Sequence, residues 1–426
     1  MHQAKILATR TWRHFMHDSL YRNSIFLMIS TAMLAAFGFA FWTIAAHLYT
    51  TSQVGIATTL ISATGLLSNL SLFGFNHSFV RFLPSEKDKK VLIDSGLTIV
   101  TVVAALLAVG FVSLIPRIAP DLDFIRRTPS LILALILYIV LAGQNNITDS
   151  IFLSYKATIY TFLADVAQCL VKISLPFLLV GYTDGGLFLA YATGTLADMV
   201  FSFSFLATKF NYTPRPTLNT EKIKKVLSFS VGNYFGDFLQ SSPALIAPVI
   251  ITAEVNPSTS AYYYLAMTIA SLVFVIPRAI TQSLFAEGSH TRHIVRRHII
   301  RSIKLMGGLL IPLCTLLCLF GGIVLKIFGH QYSENGLVLL RLFTVSALFI
   351  AINYLGMTVL KIYLHTKAIV IINLLGALFI VFTTVLYASH SLRDTAYTWL
   401  IGQALMSIMF ITYSAVRLRL LRISGC

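Results

Sequence analysis

The stretch AYYYLAMTIASLVFVIPRAITQSLFAEGS, residues 261–289, decides the fold. Its apolar run is long enough to cross the hydrocarbon core of a bilayer, for which about 20 residues suffice. Pro277 and Arg278 interrupt that run. An arginine at the bilayer centre costs on the order of 3 kcal/mol even on a lenient insertion scale. A chain that keeps one there has either a wet cavity or a paired acid to receive it.

Composition extends the reading to the whole chain. Of 426 residues, 57% are hydrophobic and only 11% charged, with a mean hydropathy of +0.80. Soluble domains carry roughly 25% charged residues, so this is the composition of an all-α, polytopic membrane protein. Apolar windows predict twelve spans, near 23–48, 54–80, 91–115, 130–153, 157–181, 186–207, 226–252, 261–286, 302–328, 336–360, 366–389 and 395–418. The connections alternate in charge. Those assigned inside, with both termini, hold 24 of the 32 Lys and Arg residues, and those assigned outside hold Arg117, Arg126, Arg127 and Arg393. Basic residues stay in the cytoplasm, so both ends are expected there. The net charge of +16 then orients the protein and contacts anionic lipid; no nucleic acid is needed to explain it.

The expected organisation follows: a cytoplasmic amphipathic segment at 1–22, a six-helix bundle at 23–207, a cytoplasmic linker at 208–225, a second six-helix bundle at 226–418, and a cytoplasmic tail at 419–426. In the first segment Lys5, Arg10, Arg13 and Arg22 alternate with Trp12, Phe15 and other apolar residues, a pattern for an interfacial helix. The stretches 48–86 and 254–289 share a layout of polar turn, apolar span, polar interruption and acidic end. An offset of this size is expected of a repeated six-span unit. Cys314 and Cys318 share a helix face and read as small packing residues, not metal ligands; no metal or other cofactor is implied.

Four basic residues fall within spans. Arg341 and Lys326 lie close enough to their outer ends to reach the interface. Arg278 and Lys172 do not, because helical side chains tilt toward the helix N-terminus and away from the nearer surface. Pro277 frees a backbone carbonyl beside Arg278, and Ser271, Phe274, Arg278, Gln282 and Phe285 recur at helical spacing. The seventh span repeats the pattern: Asn233, Asp237, Gln240 and Ser241 share one face, loosened by Gly232, Gly236, Pro243 and Pro248. Asp165 and Asp198 are further intramembrane acids, with Asp149 near an inner end; such carboxylates neutralise buried cations or carry protons. His77 falls in the inner third of the expected second span, where a lone histidine is as readily a packed residue as a ligand.

The segments AHLYTTSQVGIATTLISA (46–63), FVRFLPSEK (79–87), residues 261–289 and IFGHQYSENGLVLLRL (327–342) resemble the polysaccharide transporter family. These are lipid-linked oligosaccharide flippases within the multidrug, oligosaccharidyl-lipid and polysaccharide exporter superfamily. The resemblance spans about residues 20 to 415 and rests on diffuse Gly, Pro and aromatic patterns. It implies two six-helix bundles enclosing a vestibule lined by helices that here carry His77, Asp237, Arg278 and Gln282. It also implies that a polyprenyl-diphosphate oligosaccharide is flipped across the cell membrane for surface polysaccharide or lipopolysaccharide synthesis, in the company of polymerase or glycosyltransferase machinery. On this resemblance Arg278, Lys172, Gln282, Asn233 and His77 become expected substrate-binding residues, and Asp237, Asp165 and Asp198 expected ion-coupling residues. Two deep cations are few for the family, which argues against a strongly anionic glycan.

Three other readings compete. A multidrug/cation antiporter on the same fold would use the intramembrane acids to hold organic cations. A polytopic enzyme acting on lipid-linked sugars would need catalytic residues in an outer loop. The longest such loop, 116–129, offers only Asp121 and Asp123, and the chain carries no P-loop, HExxH or dinucleotide fingerprint. A non-transporting scramblase or assembly scaffold would share the hydropathy.

Overall fold

A computed structural model describes residues 19–182, 184–290 and 295–423. Most of the amphipathic 1–22 segment, part of the basic 287–304 connection and the last three residues of the tail lie outside these. Among the described residues twelve helices are long and apolar enough to cross a membrane: α1 Ser19–Leu48, α2 Thr51–Ser71, α3 Lys89–Ile118, α4 Pro129–Ser154, α5 Ile159–Leu179, α6 Gly186–Phe210, α7 Thr220–Glu254, α8 Pro257–His290, α9 Val295–Lys326, α10 His330–Ile362, α11 Thr366–Tyr387 and α12 Leu392–Ile423. The protein is all-helical, and among the described residues there is no strand.

Local chemistry sets the helix ends. Pro129 opens α4 at a position whose N–H would be unsatisfied anyway. Asn211 closes α6 in the left-handed conformation, its N–H donating to the Leu206 carbonyl. Gly329, at φ 130°, makes the turn from α9 into α10 in a backbone region open to glycine.

One expected span is corrected. The apolar run 54–80 is not one helix: α2 ends at Ser71, Phe73 and Gly74 take positive φ, and a separate short helix follows at Phe75–Phe82. Hydropathy runs through the break because Leu72, Phe73 and Phe75 are all apolar. The short helix buries Phe75, Ser78 and Phe79 and packs against α4. His77 is therefore an exposed residue of that short helix, outside the twelve candidate spans.

The chain forms two compact units. The first comprises the described part of 1–48 with 67–114 and 124–231. In it α5 packs on α6 and α1, and α4 on α6. Residues 211–219 lie along the start of α3 as a strap. The Tyr212 hydroxyl and the Arg215 amide both donate to Asp94 Oδ1, at 2.6 and 3.0 Å. The Thr217 amide donates to Thr98 Oγ1 and the Asn219 amide to Ser95 Oγ. Lys222 then bridges Glu86 and Asp88, 3.0 Å from each.

The second unit comprises 49–66, 115–123 and the described residues from 232 onward. The first turns of α2 sit so close to the α7–α8 turn that a Cβ at Gly55 would overlap the Pro257 carbonyl. Thr59 bonds Thr252 Oγ1 at 2.6 Å and Ser260 Oγ at 3.2 Å in the same place. Between α10 and α12, Asn353 donates to Gln403 and accepts from Ser407, at 2.9 and 2.8 Å, with every member buried. A buried polar network costs little when each member has a partner. Arg341 is exposed and donates to the Cys318 carbonyl of α9 at 3.0 Å, and Lys326 ends α9 and is exposed. Cys314 packs with Val273, Leu310 and Ala347.

Candidate functional site

Each unit gathers its own set of intramembrane charges. In the first unit three carboxylates come from three helices: Asp149 of α4, Asp165 of α5 and Asp198 of α6. Asp198 is 1% exposed and Asp165 7%. Asp165 accepts from the Ser30 hydroxyl of α1. Asp198 accepts from Ser202 one turn further along α6, at 3.1 Å. Asp149 lies within electrostatic reach of both other acids. Among the described residues no three His, Cys, Asp or Glu side chains converge at metal-ligand geometry, so the trio is a set of separately held carboxylates.

Lys172 completes this cluster. It lies within electrostatic reach of Asp165 and Asp198, and its Nζ sits 3.8 Å from the ring centre of Tyr191. Tyr191 in turn packs against Phe41, Trp42 and Tyr138. The lysine stem crosses Gly194, where a Cβ would strike Lys172 Cγ. Sequence reasoning expected a wet cavity or a carboxylate for Lys172; an aromatic face does the same work, because its quadrupole attracts a desolvated ammonium.

In the second unit the charges come from α7, α8 and α10. Asp237 of α7 is paired with Lys361 of α10 at 2.8 Å, both partly exposed. Arg278 of α8 is exposed, and Arg278 and Asp237 both act electrostatically on the half-buried Tyr354 of α10. Asn233 lies one turn before Asp237 on α7, and Gln282 one turn beyond Arg278 on α8. Pro277 is buried inside α8, and its carbonyl accepts from Thr281 Oγ1.

Several expected residues thus come together and others do not. Asp165, Asp198 and Lys172 form one group, and Asp237 and Arg278 belong to another. Lys172 and Arg278, paired in expectation as headgroup ligands, fall in different units. His77 belongs to neither group. Sequence reasoning missed Lys361, which reads as an ordinary basic residue of an inner connection, and Tyr354, seven residues earlier. Helical spacing puts the two on one face of α10, a register visible in the sequence once α10 is extended to Ile362.

The molecule's likeness to known proteins fits this framework. Curated proteins include no significant sequence match. Solved structures do match. A multidrug resistance MATE family transporter of the MOP superfamily, in an inward-facing conformation, superposes with a TM-score of 0.70 at 15% identity, covering 95% of this chain and 100% of that one. The lipid II flippase MurJ, in an inward closed conformation, gives 0.74 at 12% identity, over 91% and 87%. A MOP superfamily transporter from Pyrococcus furiosus, described as having a binding pocket of reverse polarity, gives 0.63 at 15% identity, over 95% and 96%. At such identities the likeness establishes the fold. A family model described as "Polysaccharide biosynthesis protein" matches residues 44–336, about two thirds of the chain. This multi-pass membrane protein, built on the fold of the MOP transporters, belongs to the polysaccharide biosynthesis protein family.

Proposed function

We propose that the protein flips a polyprenyl-diphosphate-linked oligosaccharide across the cell membrane by alternating access, in the assembly of a surface polysaccharide. It acts as a transporter and not as an enzyme. The observation that carries this reading is the exposed Arg278 inside a membrane span of a polysaccharide biosynthesis family member. An intramembrane arginine is retained where it meets an anion or a water-filled site, and the diphosphate is the anionic part of such a substrate. Gln282, one turn beyond Arg278 on α8, and Asn233, one turn before Asp237 on α7, supply neutral hydrogen-bonding groups. The carboxylate trio of the first unit is the coupling element. Asp165 and Asp198 share one nearby lysine, which leaves room for a proton or a small cation to complete the charge balance.

The test is direct. Purified protein in liposomes carrying a fluorescent polyprenyl-diphosphate oligosaccharide should move the headgroup across the bilayer. Protein-dependent movement that responds to an imposed proton or sodium gradient is the expected result. No movement under any gradient would sink the proposal. The second reading, a cation antiporter, is favoured by one feature, the acids beside the Tyr191 aromatic bed. Gradient-driven efflux of a cationic dye without lipid flipping would establish it instead.

A further inference from the structure

We propose that Lys361 is a headgroup-binding residue for the diphosphate, held in reserve by Asp237 and handed over when the anion arrives. The inference rests on the diphosphate reading above and adds a residue and an exchange step to it.

In the second unit α7 begins, and α8 and α10 end, on the same side, since consecutive helices alternate in direction. Asp237 lies six residues into the α7 span, which starts at Val231. Lys361 is next to the last residue of α10, and Arg278 lies seven residues, or about 10 Å of rise, before the end of the α8 span at Phe285. Tyr354 of α10 is in electrostatic reach of both Arg278 and Asp237. Two cations, one acid and one phenol therefore border one region near the end where the charge asymmetry expects the cytoplasm. That is where a lipid-linked sugar made inside the cell must load.

The Lys361–Asp237 pair is open to solvent, with side chains 25% and 37% exposed. A pair this exposed contributes little to net stability. A lysine is a compact charge on a flexible four-carbon stem with three rotatable donors, able to leave one oxyanion for another. A basic inner connection accounts for a lysine at the end of α10. It does not account for an acid placed 2.8 Å from it on a different helix. With Arg278 as the standing cation, an arriving diphosphate takes Lys361 from Asp237. When the headgroup is to leave, Asp237 reclaims the ammonium and weakens the grip on the anion. The acid is thus a built-in competitor that keeps binding reversible.

Competition predicts opposite signs for the two partners, which a merely structural ion pair does not. The experiment is a titration of the purified protein in detergent with farnesyl diphosphate. Lys361→Gln should weaken binding about tenfold, the worth of one charge-assisted hydrogen bond. Lys361→Arg should retain it. Asp237→Asn should tighten it severalfold, and the double variant should bind as weakly as Lys361→Gln. Inorganic diphosphate should compete with the farnesyl compound; failure to compete at a hundredfold excess would assign the binding to the lipid tail and overturn the role of Lys361. Weakening in Asp237→Asn, or unchanged affinity in Lys361→Gln, would overturn the exchange while leaving the diphosphate reading intact. If Lys361→Gln does not fold, Asp237→Asn decides alone: tighter binding supports the exchange and any other result overturns it. A wild type that binds no farnesyl diphosphate at all would end both proposals.

Discussion

Arg278 and Asp198 are the two residues on which the proposed activity turns, and their surroundings give different expectations. Arg278 is exposed, so its loss leaves no buried partner unpaired. Arg278→Gln should reduce flipping about tenfold or more while the thermal midpoint stays near wild type, in keeping with one lost charge-assisted contact. Unaltered flipping in a well-folded Arg278→Gln protein would demote the residue to an ordinary surface cation of α8. Asp198 is the opposite case, almost wholly buried and hydrogen-bonded to Ser202. Asp198→Asn keeps the shape and one accepting oxygen but removes the charge. It should abolish the response to a proton or sodium gradient while leaving downhill flipping measurable. A gradient response equal to wild type would take Asp198 out of the coupling group.

At the scale of elements, two contacts carry checkable consequences. The strap 211–219 is held through Asp94, which accepts from both Tyr212 and Arg215. Burial, and then the adjacent Asp94 carboxylate, push the Tyr212 hydroxyl above its ordinary value near 10. A group raised in the folded state stabilises it fully below the unfolded value and loses that contribution as pH climbs through the folded one. The strap should therefore hold through pH 10, and the phenolate absorbance assigned to Tyr212 by difference from Tyr212→Phe should appear only above it. Hydrogen exchange at neutral pH gives a second readout: in Tyr212→Phe the amides of Arg215, Thr217 and Asn219 should exchange about tenfold faster. The α10–α12 contact is tight at Gly356, where a Cβ would stand 2.6 Å from Phe410 Cβ. Gly356→Leu should cost about 1–3 kcal/mol of stability by overpacking, seen as a lower thermal midpoint, and Gly38→Leu, with open space around it, should not.

For the whole molecule, the distribution of Lys and Arg predicts that both termini face the cytoplasm. A C-terminal reporter that is active only inside the cell should be active, and one placed in the 182–186 connection should be silent. The reverse pattern would invert the assignment of sides and with it the loading end of the Lys361 region.

Twelve spans were legible because each apolar run must satisfy its backbone internally within lipid, and only a helix does so with a single segment. Length and hydropathy then leave little choice. The same reasoning failed at Phe73–Gly74, where a left-handed turn hides inside an apolar run, and so it misplaced His77. Arg278, Lys172 and the three intramembrane acids of the first unit could be named from the sequence, since an ionisable residue within a span is conspicuous wherever it sits. Their partners could not. Asp237 and Lys361 are 124 residues apart, Ser30 and Asp165 are 135, and no local pattern links either pair. Lys172 found an aromatic ring on the next helix, a contact that hydropathy does not encode. The sequence by itself determined the number of spans, their apolar character and which charges had to be accommodated. Only the tertiary structure decided which charges meet, because pairing depends on helix rotation and packing, and those are settled by side chains far apart in the chain.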